Sequence, residues 1–416
     1  MKRFALPAAV GLALLIIALA HPGLRFVDFI AFCDRAQGLP AGLTDPLYPV
    51  GYPAALRLLT ELTHSALWSA RAMSIAGAVG LAWVLQERIG PVAAGAAATT
   101  LGFLAWGSTE GTDMLAASLT LAAVLQKDWK AGPLLGAALL VRYTAVAAAP
   151  IVLLSKDWRR WVGVLVVTAP HWLTAALLGE PLLPDQSPNL SIGAGGEPPP
   201  LLSLDTLHRT PMGFWLAFRH MEPVAWVGLA GLLAGIKDPR AQKLLAFGGL
   251  HLLLLAIVFS KPRLALPATL ALACGAAWLL RWRYSWAILA LPLAWNGRLA
   301  LSPTPQQETI APVIDQTRGL DGPFLSSNPW FHGQDNGWLT RPVSLRALGP
   351  PPGVTPESVA AYARSNGISH VVLDGGRTMS TWPRLEPLLK GRTVPGLERV
   401  PIDAPGWAVY RVTSDP

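Results

Sequence analysis

Charged residues are scarce in this sequence. Only 14% of its 416 residues are Asp, Glu, Lys or Arg, whereas 52% are hydrophobic. A soluble domain has about 25% charged residues, so this composition argues against a wholly soluble protein. Several apolar runs are about as long as a bilayer is thick, and they predict an α-helical multi-pass membrane protein.

Cysteine is scarcer still, since the chain contains only Cys33 and Cys274. Cys274 falls within the apolar run LALPATLALACGAAWLL, whereas Cys33 lies in a segment that contains charged residues, so we predict no disulfide between them. The sequence has no CxxC motif and no Cys/His cluster, which excludes the usual spacings of a structural zinc site.

The positive charge of the chain is unevenly distributed. The net charge is +8, but residues 301–416 contain ten Lys/Arg and ten Asp/Glu, so the whole excess belongs to residues 1–300. In a membrane protein, this excess is expected in the cytoplasmic connectors. Because no basic stripe with interleaved aromatic residues accompanies it, we predict no nucleic-acid partner.

Hydropathy predicts nine spans, and their Lys/Arg-rich connectors fall on one side, which is the cytoplasm by the positive-inside rule. Residues 1–20 are also compatible with a cleaved signal peptide. The later spans alternate sides consistently if the first one stays. The predicted spans are 5–21, 64–86, 91–107, 112–126, 160–178, 223–236, 244–259, 263–280 and 284–300.

One apolar segment, residues 131–155, has basic connectors at both ends, KDWK before it and SKDWRRW after it. Both ends therefore favour the cytoplasm, yet about 23 residues cannot cross a ~30 Å core twice as helix. We predict a short hairpin that turns inside the membrane at Arg142-Tyr143. The alternative is one ordinary span with a connector on the unexpected side.

We predict two domains. Residues 1–300 form the transmembrane catalytic domain, with large extracytoplasmic loops at 22–63 and 179–222. Residues 301–416 have a soluble composition and predict a small extracytoplasmic α/β domain. Its predicted elements are the strands PFLSS, SHVVLDG and GWAVYRV and the helix PESVAAYARSNG. We interpret its His332, Asp335 and His370 as ordinary polar residues, because no triad or metal spacing connects them.

Three acidic residues are candidates for chemistry. Asp28 lies just after the first span in the apolar context FVDFIAF, which predicts a helix at the membrane surface. A partly desolvated carboxylate there suits a general base that takes a proton from a hydroxyl. Glu110 and Asp113 share one helix face if the fourth span begins near Thr109. Both could equally be helix-start acids that interact with the helix dipole.

Three basic residues lie where cations are costly. Arg142 is in the middle of an apolar segment, and Lys261 and Arg263 lie in a connector on the side opposite to the other basic connectors. An anionic phosphate group would satisfy such residues. The alternative is that they reach lipid phosphates at the membrane surface.

These stretches together resemble the GT-C superfamily of membrane glycosyltransferases, in the bacterial branch related to protein O-mannosyltransferases and lipid A aminoarabinose transferases. The resemblance covers most of residues 1–300. It rests on the acid after the first span, DPLYPVGYP (45–53), STEGTDML (108–115), GAALLVRYTAVAAAP (136–150), LGEPLLPDQSPNLSIG (178–193) and SKPRLALPATLALACGAAWL (260–279).

The resemblance implies an inverting transfer of a sugar from a polyprenyl-phosphate donor to a glycolipid, polysaccharide or protein acceptor. It implies that Asp28 is the catalytic acid of the first loop and that Glu110 or Asp113 is the second acid. Arg142, Lys261 and Arg263 would bind the donor phosphate. Phe29 stands where many relatives have another acid, so a divalent metal cofactor stays an open question.

The implied location is the inner membrane of a bacterium, with the C-terminal domain outside the cytoplasm and membrane lipids as the surroundings. Other readings stay open from the residues alone. They are a transporter or flippase of lipid-linked or small substrates, a polymerase or ligase of lipid-linked glycans, and a protein with only a structural role. A transporter often has internal repeats, and none is evident here.

Overall fold

The computed structural model describes residues 2–21, 23–40, 49–181, 211, 215, 221–257, 262–280 and 282–413. Most of the predicted loop 179–222 and the predicted phosphate ligand Lys261 lie outside the described residues. Contacts divide the chain into two compact units. We call Met1–Pro22, Ala36–Leu59 and Trp68–Ser302 the helical unit, and Gly23–Arg35, Thr60–Leu67 and Pro303–Pro416 the C-terminal unit.

Up to residue 301, the described residues form helices joined by turns and short loops. Most of their buried apolar side chains form one large core that runs from Val10 to Ala300, and a smaller cluster forms around Val224 and Leu289. The α-helices in the described residues are Lys2–Ala20, Phe29–Gly38, Gly51–Thr63, Ala66–Arg88, Pro91–Ala98, Leu101–Gly107, Asp113–Leu125, Ala131–Val141, Ala149–Leu153, Arg159–Leu177, Pro223–Ala234, Pro239–Ile257, Leu266–Ala273, Ala276–Leu279 and Trp282–Leu301.

Several predicted spans are shorter or less regular than expected. Among the described residues, only Ala66–Arg88 and Pro239–Ile257 are both long and apolar enough to cross a membrane as single helices. The predicted span 91–107 is wrong as one helix, because it breaks at Thr99-Thr100. There the Thr100 hydroxyl accepts a hydrogen bond from the Phe103 N–H and starts a new helix.

The predicted chain reversal of residues 131–155 at Arg142-Tyr143 is confirmed, and its place in the membrane stays a prediction. The helix Ala131–Val141 ends at Arg142, whose backbone is extended, and a 3₁₀ segment Tyr143–Ala148 leads back. The two ends of the hairpin meet at one side chain, because the Arg160 guanidinium donates to the carbonyl oxygens of Lys127 and Val152, at 2.6 and 3.1 Å. A single span would hold those two carbonyls far apart.

The strands of the C-terminal unit in the described residues are β1 Phe324–Ser326, β2 Gly333–Asp335, β3 Trp338–Thr340, β4 Val343–Ser344, β5 His370–Asp374, β6 Leu397–Val400 and β7 Trp407–Val412. Five of them form a sheet in the order β4-β1-β5-β7-β6. Strand β1 is parallel to β4 and β5, whereas β7 is antiparallel to β5 and β6. The predicted α/β elements of this unit are confirmed.

Both faces of this sheet are covered, because its central strands are apolar on both sides. Val371 and Leu373 pack with Val359 of the helix Pro356–Ser365. Val372, which points to the opposite face, packs with Val313 of the helix Pro305–Thr317. The alternation along β5 therefore produces three layers, helix, sheet and helix.

Parts of the first predicted loop belong to the C-terminal unit. The hairpin β2-β3 turns at Asn336-Gly337, both with positive φ, as a two-residue Asn-Gly turn requires. The Gly337 carbonyl accepts a hydrogen bond of 2.8 Å from the Ala66 N–H. This turn therefore holds the residue 60–67 segment against the C-terminal sheet residues.

We expect Gly337→Ala to destabilise the C-terminal unit more than Gly406→Ala. Both glycines have a φ of +82°, so both substitutions carry the left-handed backbone cost of about 1–2 kcal/mol. A Cβ at Gly337 would also lie 2.2 Å from the His64 carbonyl oxygen, whereas a Cβ at Gly406 meets open space. Thermal unfolding of the two variants measures the difference, and equal shifts would contradict the close approach.

Candidate functional site

An ion pair joins the hairpin turn to the start of the Asp113–Leu125 helix. Nη1 of Arg142 lies 2.7 Å from Oδ1 of Asp113 and donates to Oγ1 of Thr112 at 2.6 Å. The extended backbone of Arg142 interrupts the hairpin and lets its side chain reach this helix. Asp113 is buried, whereas 18% of the Arg142 side chain stays exposed, so the pair has one accessible side.

The expected helix start near Thr109 is wrong. Thr112 is the N-cap and Asp113 is the first helical residue, so Glu110 lies in the preceding bend. The hydroxyl of Tyr52 accepts a hydrogen bond from the Gly111 N–H at 3.1 Å and helps to hold this bend. The two acids therefore do not share a helix face, and each pairs with a different arginine.

Glu110 pairs with Arg71, a residue that the sequence analysis missed. Nε of Arg71 lies 3.3 Å from Oε2 of Glu110, and neither side chain is exposed. Nη1 of Arg71 also donates to the Ala18 carbonyl at 3.2 Å, and the guanidinium lies over the Trp68 ring. The available signal was an arginine inside the predicted span 64–86, which is the same criterion that selected Arg142.

The two acids differ in what they can still bind. Oδ1 of Asp113 is taken by Arg142, but its Oδ2 is buried and has no hydrogen-bond partner among the described residues. A buried carboxylate oxygen without a donor is costly, unless a ligand supplies one. Glu110 is enclosed together with Arg71, which suits a structural ion pair.

Arg263 lies half-buried in the 3₁₀ turn Pro262–Ala265. Nε2 of His251 is 2.8 Å from the carbonyl oxygen of Leu264, and this hydrogen bond fixes the turn. The helix Pro239–Ile257 packs against this turn, the 3₁₀ segment after Arg142 and the helix that Asp113 begins. One helix therefore supports the elements that carry three of the predicted site residues.

Asp28 lies in the C-terminal unit, half-buried in the turn directly before the helix Phe29–Gly38. Its carbonyl accepts hydrogen bonds from the N–H groups of Ala31 and Phe32, so it starts the predicted helix. Asp34, further along, is exposed and pairs with Arg341 at 3.1 Å. Partial burial raises the pKa of Asp34, and the charge of Arg341 opposes that rise.

The acids of the helical unit fit a cation poorly. Asp113 and Glu110 each pair with an arginine, whose positive charge opposes a metal ion at the same carboxylate. Within the described ranges, no group of three or more His, Cys, Asp or Glu residues could hold a metal. We therefore derive no step through a metal at these residues.

Local contacts hold two of the three polar residues singled out in the C-terminal unit, His332 and His370. Nδ1 of His332 is 3.1 Å from the Trp330 carbonyl oxygen, and burial lowers the pKa of His332 to about 4. His370 stacks on Phe324, and Asp335 is exposed on β2. These surroundings favour the interpretation of all three as ordinary polar residues.

The comparisons with known proteins find a likeness in fold only. No protein-family profile and no curated sequence matches the chain. The crystal structure of ArnT from Cupriavidus metallidurans in the apo state aligns with a TM-score of 0.56 and 14% identity, over 98% of this chain and 97% of that one. ArnT bound to undecaprenyl phosphate aligns with a TM-score of 0.54 and 15% identity, over 98% of both chains.

The chain has the GT-C fold. The resemblance that the sequence motifs predicted is confirmed at this level. The alignment covers almost the whole of both chains, so the GT-C likeness includes the residues beyond 301 as well as the helices. At this identity the alignment assigns no role to any residue, and the site residues stay predictions.

Proposed function

We propose that this protein is an inverting glycosyltransferase of a bacterial inner membrane. It would move a sugar from a polyprenyl-phosphate-linked donor to an acceptor hydroxyl at the outer face. The Asp113–Arg142 pair at the hairpin turn carries the proposal, because it combines a buried acid with a partly exposed cation on the GT-C fold. ArnT, which has this fold, has been solved with undecaprenyl phosphate bound.

The reaction requires cations that stabilise the leaving phosphate and a base that takes the proton of the acceptor hydroxyl. The acceptor hydroxyl attacks the anomeric carbon, the bond from that carbon to the phosphate oxygen breaks, and the carrier leaves as a phosphate. Since the leaving group bears its charge on phosphate, cations suffice to stabilise it and no proton donor is needed. We assign this role to Arg142 and Arg263, and to Lys261 from the sequence. We assign to Asp28 the role of the base that takes the hydroxyl proton.

Glu110 and Asp113 are the two candidates for the second acid, and we favour Asp113 as the one that orients the acceptor. Its Oδ2 has no hydrogen-bond donor among the described residues and could accept one from a polar group of the acceptor other than the reacting hydroxyl. Its Oδ1 stays on Arg142, which orients the carboxylate. Glu110 is fully enclosed with Arg71, so we assign it a structural role.

The purified wild type, incubated with a panel of polyprenyl-phosphate sugars and candidate acceptors, tests the proposal by release of the free carrier. Carrier release that depends on the acceptor supports transfer. A wild type that binds no polyprenyl donor would contradict the proposal and favour the transporter or structural readings. Transport without release of the carrier would favour a flippase.

We expect Asp113→Asn to lower kcat by about 10²-fold, because a misoriented acceptor loses productive encounters. The amide keeps the volume and can still accept a hydrogen bond from Arg142, which is partly exposed, so the melting temperature should fall less than in Glu110→Gln, whose partner Arg71 is fully enclosed. Glu110→Gln is the matched control. It should lower the melting temperature but leave kcat close to the wild-type value, because Glu110 is enclosed with Arg71. The reverse pattern, with kcat lost only in Glu110→Gln, would exchange the two roles.

A further inference from the structure

A polar cavity lies at the far end of the Asp113–Leu125 helix. It has a volume of about 670 Å³ and is lined by residues that include Trp83, Glu87, Arg88, Gln126, Trp129 and Lys130. Gln126 caps the C-terminus of the 13-residue helix that Asp113 begins, so the helix places roughly 20 Å between the cavity and the proposed site. This cavity is therefore separate from the site assigned to transfer.

The charges in this cavity are mixed. Arg88 and Lys130 bring two cations, and Arg88 donates a hydrogen bond to the side-chain oxygen of Gln126. Glu87 brings one carboxylate. Among the described residues, neither the Glu87 carboxylate nor the Lys130 ammonium forms a salt bridge. The exposed Asp128 carboxylate attracts Lys130 and Arg88 from a longer distance, so a ligand phosphate competes with it for these two cations. A ligand with a phosphate and a separate ammonium group would complement this arrangement.

An apolar cavity of about 300 Å³ adjoins the polar one and shares Trp129 and Pro133 with it. It is lined by Trp158, Val162 and Val166, among others, and so follows the first turns of the helix Arg159–Leu177. A ligand that fills both cavities therefore needs a charged head and an apolar chain. Trp129 and Trp158 are exposed, as tryptophans at a membrane surface commonly are.

We propose that the two cavities bind one aminophospholipid of the cytoplasmic leaflet, with a phosphoethanolamine headgroup. Its phosphate lies between Arg88 and Lys130, its ammonium faces Glu87, and an acyl chain follows the apolar cavity. The inference rests on the membrane orientation in the proposed function, which puts these basic connectors on the cytoplasmic side. A purely anionic headgroup fits less well, because it leaves Glu87 uncompensated.

Native mass spectrometry of the purified full-length protein tests this inference, with phosphatidylethanolamine, phosphatidylglycerol and phosphatidylcholine of equal chain length as probes. We expect one saturable phosphatidylethanolamine molecule per wild-type chain, bound more tightly than the other two lipids. Arg88→Gln with Lys130→Gln should weaken its binding at least tenfold. Glu87→Gln should keep lipid binding but lose the preference for phosphatidylethanolamine over phosphatidylglycerol.

The matched control replaces two exposed cations of the C-terminal unit, Arg346→Gln with Lys390→Gln, and should bind as the wild type does. Lys130→Gln alone, which changes an exposed side chain, serves if the double variant fails to fold. Equal binding of the three lipids, or unchanged binding in the Arg88 and Lys130 variants, would overturn the inference. Carrier release is measured separately. A wild type that binds this lipid without transferring sugar would contradict the proposed function and leave the lipid site supported.

Discussion

Asp28→Asn is expected to abolish sugar transfer while it leaves donor binding intact. An amide cannot take the proton of the acceptor hydroxyl, and the loss of a general base costs about 10²–10⁴-fold in rate. Asp28 sits at the start of a short helix and is only half-buried, so the isosteric amide should not unfold the chain. The measurement is kcat for carrier release, together with the Kd of the donor.

Asp34→Asn is the matched control for this prediction. Asp34 lies on the same short helix, but it is exposed and pairs with Arg341 on the surface. Exposed pairs contribute little, so its loss should leave kcat, the Kd of the donor and the melting temperature nearly unchanged. If Asp28→Asn turns over at the wild-type rate, Asp28 is not the base, and Asp113 becomes the first residue to test in that role.

Arg71→Met is expected to produce the largest loss of stability of any variant considered. It leaves the Glu110 carboxylate buried without its cation, and breaking one side of a buried ion pair costs about 3–5 kcal/mol. It also removes the hydrogen bond to the Ala18 carbonyl and the contact with Trp68. Thermal unfolding in detergent measures the effect.

The double variant Arg71→Met with Glu110→Gln separates the charge from the packing. It removes both charges at once, and replacing a buried pair by neutral groups of similar size is often close to neutral. We expect it to be more stable than Arg71→Met alone. If the double variant is as unstable as the sum of both single variants, the two residues act independently and the ion pair is not what stabilises the bend before Asp113.

The hairpin and the C-terminal α/β elements could be predicted from sequence because their signals are local. Basic connectors at both ends of residues 131–155 decide on which side each end lies, and the structure brings those ends to Arg160. The strand SHVVLDG and the helix PESVAAYARSNG are each defined by their own apolar pattern and turn residues. Such patterns lie within one short window of the chain.

The partners of the charged residues could not be predicted in this way. Arg71 and Glu110 are 39 residues apart, and Arg142 and Thr112 are 30 apart. No local pattern states which acid an arginine will meet, because that choice depends on how separate helices pack. Spacing along the chain therefore groups Glu110 with Asp113, whereas packing pairs Glu110 with Arg71.

By itself, the sequence determined the apolar composition, the charge asymmetry between residues 1–300 and the remainder, and the order of motifs that resemble the GT-C superfamily. These follow from residue types and their spacing along the chain. Only the tertiary structure decided that the helix begins at Asp113, that Glu110 is enclosed with Arg71, and that one oxygen of Asp113 lacks a donor among the described residues. Burial and ion pairing are properties of packed neighbours, which the linear order of residues does not specify.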